Sequence, residues 1–104
     1  MKAPSLKPDE MALLRGVFRR HPEITAVKLF GSRAKGTNAP GSDVDLALWG
    51  DVDEMRAEAI ASELDELPLP YRYDVKPFHL IKLRPLREHI ERVGIIVYSE
   101  EVDQ

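Results

Sequence analysis

Two aspartates separated by one residue, Asp43 and Asp45, stand in the run DVDLALW, a short distance after the pair Gly31-Ser32. In a strand, residues i and i+2 project to the same face, which sets these two carboxylates side by side with β-carbons about 6–7 Å apart. Two ionised carboxylates so placed repel each other, and a hard cation removes the conflict. Mg²⁺ suits this arrangement, because it takes one or two protein carboxylates and fills its remaining positions with water and phosphate oxygens. Gly31-Ser32 falls where a strand turns towards a helix. There, backbone N–H groups and the helix dipole attract an anion, the Ser32 hydroxyl adds a hydrogen bond, and glycine lets a phosphate approach the backbone. Taken singly, an Asp-x-Asp pair is more often a solvated strand edge, Ser32 an ordinary cap and the glycines ordinary turn residues. Their combination points to chemistry on a phosphate.

The elements that position these residues follow from periodicity and punctuation. Asp9 to Arg20 carries Met11, Leu13, Leu14, Val17 and Phe18 at helical spacing, with acidic residues at its start and Arg19 and Arg20 at its end, as the helix dipole favours. His21-Pro22 stops that helix, and Ile24 to Phe30 reads as a buried strand closed by Gly31. Ser32 caps a short helix starting near Arg33, and the glycine- and proline-bearing stretch from Gly36 to Ser42 forms a loop. In the strand Asp43 to Trp49, Val44, Leu46 and Leu48 face the core, leaving Asp43, Asp45, Ala47 and Trp49 on the other side. A helix over Val52 to Leu67 ends at Pro68 and Pro70. A third strand, Tyr71 to Pro77, places Arg72, Asp74 and Lys76 on one face. Leu86 to Val93 reads as a helix behind Pro85, capped by Gly94, and Ile95 to Tyr98 as a last strand. Helices alternating with short strands predict an α/β domain with helices packed on a small sheet.

Composition narrows the function classes. The chain has 104 residues, no cysteine and a formal net charge of -3, with 43% hydrophobic and 32% charged residues. That length is enough for one core without disulfides or structural metal, so a single domain over residues 1–104 is expected. No apolar run reaches the ~20 residues of a membrane span, and the first ten residues lack the apolar stretch of a signal peptide, which favours the cytoplasm. A net negative charge argues against non-specific binding to a polynucleotide backbone and makes a nucleotide the better ligand.

Gly31 and Gly36 have Walker A spacing, but Thr37 stands where the phosphate-binding lysine of that loop belongs. Gly31-Ser32-Arg33-Ala34-Lys35-Gly36 followed by Gly41-Ser42-Asp43-Val44-Asp45-Leu46 instead resembles the signature of the DNA polymerase β-like nucleotidyltransferases. In that family a Gly-Ser turn precedes a strand bearing two metal-binding aspartates. The likeness covers nearly the whole chain and is strongest to the minimal nucleotidyltransferases, small domains often encoded beside a helical HEPN-type toxin. The resemblance implies an α/β (α+β) fold with a mixed sheet flanked by helices, and Mg²⁺-dependent transfer of a nucleotide from an NTP. It also implies a third acidic residue on a neighbouring strand, for which Asp74 is the well-placed candidate. Asp43, Asp45 and Asp74 are then the catalytic and metal-binding set. Gly31 and Ser32 hold the β and γ phosphates, and Arg33 is favoured over Lys35 for the triphosphate. AMP transfer from ATP to a hydroxyl of a HEPN-type partner is the expected reaction, with a partner chain or second copy completing the site. Two alternatives stay open: a non-catalytic antitoxin that masks its partner, and an adenylyltransferase acting on a small molecule.

Without that resemblance, Asp74 between Arg72 and Lys76 reads almost equally well as a paired surface charge. Trp49, Tyr71 and Tyr73 could stack on a base, although packing against the protein is the commoner use. His21, His79 and His89 lack metal-ligand spacing and receive no role. Lys82, Arg84, Arg87 and Arg92 read as a solvated basic face, and Arg15 as a complement to the helix dipole.

Overall fold

A computed structural model describes residues 6–31 and 43–100. Among the described residues, three α-helices and a short 3₁₀ turn pack on one four-stranded mixed sheet. In chain order these are α1 (Pro8–Arg19), β1 (Ile24–Phe30), β2 (Val44–Gly50), α2 (Glu54–Asp65), β3 (Tyr73–Pro77), the 3₁₀ turn (Phe78–Leu80), α3 (Arg84–Val93) and β4 (Ile95–Ser99). The strand order is β3-β2-β1-β4. β1 pairs antiparallel with both β2 and β4, while β2 and β3 run parallel. A parallel pair needs a crossover connection, and α2 supplies it.

Local signals account for the helix ends. α1 opens with Pro8 in its first turn, and Glu10 accepts the Lys7 backbone N–H at 3.0 Å. Its buried residues, Met11, Leu14, Val17 and Phe18, form one stripe, whereas Leu13 is turned outwards and exposed. α2 starts later than its apolar pattern suggests. The Asp53 carboxylate accepts the Arg56 backbone N–H at 2.8 Å and fixes the cap, so Val52 is buried ahead of the helix. Met55, counted in the apolar pattern, is 79% exposed, and Ala57, Ile60 and Leu64 form the inward stripe. Gly94 does end α3, but not in the left-handed conformation of a usual glycine cap. Its φ is -64°, and it is glycine because a β-carbon would collide with the Ile90 carbonyl and crowd Lys28.

The sheet is covered on both faces. Leu14, Val17 and Phe18 of α1 and Ile60 and Leu64 of α2 pack with Val27, Leu29, Val44, Leu46, Leu48 and Val97 into the principal core. The aliphatic face of β2 therefore looks inwards as expected, and each fully buried leucine or isoleucine there contributes about 1.5–3 kcal/mol. The opposite face carries a smaller core of Phe30, Ala47, Phe78, Ile81 and Ile90, with Trp49 and Leu86 against it. This second core covers the aspartate-bearing face from Ala47 onwards and leaves its Asp45 end accessible.

Candidate active site

The three aspartates come from two strands and the segment entering one of them. Asp43 is exposed just ahead of β2, which begins at Val44 and not at Asp43. Asp45 lies within β2, half-buried, with Phe30 of β1 opposite it on one side and Asp74 of β3 opposite it on the other. Neighbouring strands are about 4.8 Å apart, and register partners share a face, so Asp45 and Asp74 stand next to each other. Residues far apart in sequence thus meet because α2 returns the chain to the sheet in this register.

The carboxylates perturb one another. The Asp45 carboxyl is held above the usual aspartate range, first by burial and then by the negative charges of Asp74 and Asp43, with Lys76 partly offsetting them. Lys76 follows Asp74 by two residues on the same face, and its Nζ donates to Asp74 Oδ2 at 2.6 Å. Asp74 is therefore both things its sequence context allowed: a partner of a neighbouring cation and a carboxylate beside Asp45. That a cation pairs with Asp74 was legible in the alternation of Arg72, Asp74 and Lys76, but that the partner is Lys76 rather than Arg72 was not.

Gly31 closes the site at the end of β1. Its φ is +78°, a conformation that costs a residue with a β-carbon about 1–2 kcal/mol, and a β-carbon there would run into Asp45 Oδ2. Glycine at this position keeps both the turn and the room that the Asp45 carboxylate occupies. Ser32 and Arg33, the other expected phosphate contacts, lie outside the described residues.

Oxygen donors and excess negative charge at Asp45, whose carboxylate Gly31 lets seat against the end of β1, fit a hard divalent cation. Among the described residues no three His, Cys, Asp or Glu side chains form a ready-made cage. Mg²⁺ does not require one when substrate phosphates and water complete its shell.

Other candidates turn out to be structural. Trp49 stacks on Phe78 with ring centroids 4.3 Å apart, and Lys28 Nζ lies 5.5 Å from the Trp49 centroid. The Tyr71 hydroxyl donates to Glu10 at 2.9 Å, and Tyr71 meets Tyr73 edge-on. Arg15 donates from Nε to the Val97 carbonyl at 2.9 Å. His21 is buried, with Nε2 2.7 Å from Glu63 Oε2, and Arg20 reaches the other Glu63 oxygen at 3.1 Å. Burial acts to raise the Glu63 carboxyl, but the bonds from Arg20 and His21 prevail and hold it below the usual range. Arg87 is not part of a solvated face. It donates to the carbonyls of Phe78 and Ile81 at 3.2 and 3.0 Å, and its guanidinium lies 4.5 Å from the Phe78 ring centroid.

Residues 13–103 match the family described as Polymerase beta, Nucleotidyltransferase. The chain belongs to this nucleotidyltransferase family. A Haemophilus influenzae relative of this nucleotidyltransferase, named as a probable protein adenylyltransferase MntA, is 26% identical over 98 residues, spanning 92% of this chain and 85% of that one. Solved structures share the fold. A toxin-antitoxin crystal structure with AMP-PNP aligns at a TM-score of 0.74 and 20% identity, over 88% of this chain and 74% of the other. A Shewanella oneidensis complex of a tri-AMPylated HEPN toxin with an MNT antitoxin aligns at 0.70 and 16% identity, over 92% and 75%. The mixed sheet with flanking helices is thus the polymerase β nucleotidyltransferase fold.

Proposed function

We propose that this nucleotidyltransferase moves AMP from ATP to a hydroxyl on a HEPN-type partner protein and thereby acts as its antitoxin in the cytoplasm. The observation that carries the reading is the register pairing of Asp45 with Asp74, with Asp45 seated against Gly31 at the end of β1, in a chain matched over residues 13–103 to the family. The name of the Haemophilus influenzae relative, the AMP-PNP complex and the tri-AMPylated toxin support ATP as donor and a protein as acceptor.

In this reading the backbone at Gly31 and Ser32 receives the β and γ phosphates, where glycine permits close approach, and Arg33 offsets triphosphate charge. Asp43 and Asp45 hold Mg²⁺, which supplies neutralisation of the phosphates and of charge developing on the leaving pyrophosphate. Asp74 lies on the far side of Asp45 from Gly31. It adds to the metal site or takes the proton of the acceptor hydroxyl, a role that requires that hydroxyl within ~3 Å. As the acceptor oxygen bonds to the α-phosphorus, the bond from that phosphorus to the bridging oxygen breaks. Pyrophosphate leaves, and the proton passes through Asp74 to solvent. Lys76 holds the Asp74 carboxylate in place on the shared face.

ATP labelled on its α-phosphate, Mg²⁺ and a HEPN-type protein encoded beside this chain test the reading. Label should pass to the partner, fall at least about 100-fold with Asp43→Asn or Asp45→Asn, and vanish with a chelator. Neutralisation of the partner without label transfer, unchanged in Asp43→Asn, would establish masking instead.

A further inference from the structure

Asp74 lines a groove of about 400 Å³ that runs between α2 and the segment that follows the 3₁₀ turn. Glu54 and Glu58, exposed and one turn apart on α2, line one wall. The other wall presents Leu80 and Leu83, which are 38% and 65% exposed, together with Lys82. Arg87 ties this wall down through the Phe78 and Ile81 carbonyls, so the groove is formed before any ligand arrives.

We propose that this groove seats the polypeptide segment flanking the acceptor hydroxyl, and that it selects apolar and basic neighbours. The inference rests on the reading of Asp74 as the residue that meets that hydroxyl. An extended chain advances about 3.3 Å per residue, so once a hydroxyl side chain reaches Asp74, the residues beside it enter the groove. Charge decides their character. Lys76 is engaged by Asp74, and Lys82 balances one of Glu54 and Glu58, which leaves the groove net negative in a chain of net charge -3. A phosphate-bearing acceptor such as a nucleic acid is repelled there. The exposed leucines instead offer contact to an apolar side chain, and the glutamates offer it to an arginine or lysine.

Fluorescence anisotropy with short labelled peptides tests this without nucleotide. Each peptide carries a central tyrosine between leucines, flanked on both sides by arginine in one and by glutamate in the other. The arginine peptide should bind at least about fivefold more tightly. The double variant Glu54→Lys, Glu58→Lys should reverse that order, and Leu83→Ser should weaken both peptides. Equal affinities, absence of binding by either peptide, or an unchanged order in the double variant would overturn the proposal. So would tighter binding of a single-stranded oligonucleotide that is sensitive to Leu83→Ser. Because binding is read without ATP, a preserved peptide preference in a chain that transfers no AMP supports the groove and counts against adenylyl transfer alone.

Discussion

Gly31→Ala gives the most exacting check on the geometry of the site. The substitution has two separable costs. One is conformational: at φ +78° a residue with a β-carbon loses about 1–2 kcal/mol relative to glycine. The other is a collision with the Asp45 carboxylate, whose Cγ would lie 3.3 Å from the new β-carbon and whose Oδ2 would lie inside contact distance. Displacing a packed group in this way costs about 1–3 kcal/mol. Truncating Asp45 to alanine removes the colliding atoms and leaves its β-carbon 3.6 Å away, an ordinary contact. Gly31→Ala should therefore cost about 2–5 kcal/mol in the parent chain and about 1–2 kcal/mol beside Asp45→Ala, a coupling of about 1–3 kcal/mol. Urea denaturation of the four proteins measures it directly. The single variant should also lower the melting temperature by roughly 10 °C or more. Equal costs in the two backgrounds would show that Gly31 does not face the Asp45 carboxylate, and the phosphate cradle beside it would fall with that result.

Asp45→Asn should raise the melting temperature measured without divalent cation. The Asp45 carboxyl is raised in the folded chain, so the folded state holds its proton to higher pH than the unfolded state does. The destabilisation is absent below the ordinary aspartate range and grows as pH rises through the folded value, so the gain in Asp45→Asn should be larger at pH 8 than at pH 3. A gain that is independent of pH refutes this. Lys76→Met removes a cation bound to Asp74 and should tighten Mn²⁺ binding to the nucleotide-free chain several-fold by electron paramagnetic resonance, while Lys76→Arg leaves it near the parent value. Unchanged or weaker binding in Lys76→Met contradicts the placement of Lys76 beside the cation site. Arg87→Ala forfeits two hydrogen bonds and the Phe78 contact, and should cost about 1–3 kcal/mol. Hydrogen exchange should quicken first across Phe78–Ile81, and an unchanged exchange pattern would count against Arg87 as the tie.

Much of this protein is legible in the order of its residues. The period of two in DVDLALW places Val44, Leu46 and Leu48 in the principal core and turns Asp45 to the other face, because a strand allows no other arrangement of alternating side chains. Pro85 and Gly94 mark the ends of α3 because each acts on its own backbone or that of near neighbours. The Gly-Ser and Asp-x-Asp motifs carried the family resemblance for the same reason: their spacing is local.

Contacts between distant segments were decided only by the folded chain. Asp74 is beside Asp45 because α2 packs so as to set β3 parallel to β2 in one register, and a slip by one residue would turn Asp74 to the opposite face. The burial that raises the Asp45 carboxyl follows from its place in β2 between β1 and β3, and the second core that covers Ala47 and Trp49 and the bonds by which Arg87 holds the groove wall depend on where α3 and the 3₁₀ turn come to rest. A charge pattern such as Lys82, Arg84, Arg87 and Arg92 reads as a solvated face in one dimension. Only packing distinguishes the arginine with two carbonyls and an aromatic ring within reach from its exposed neighbours.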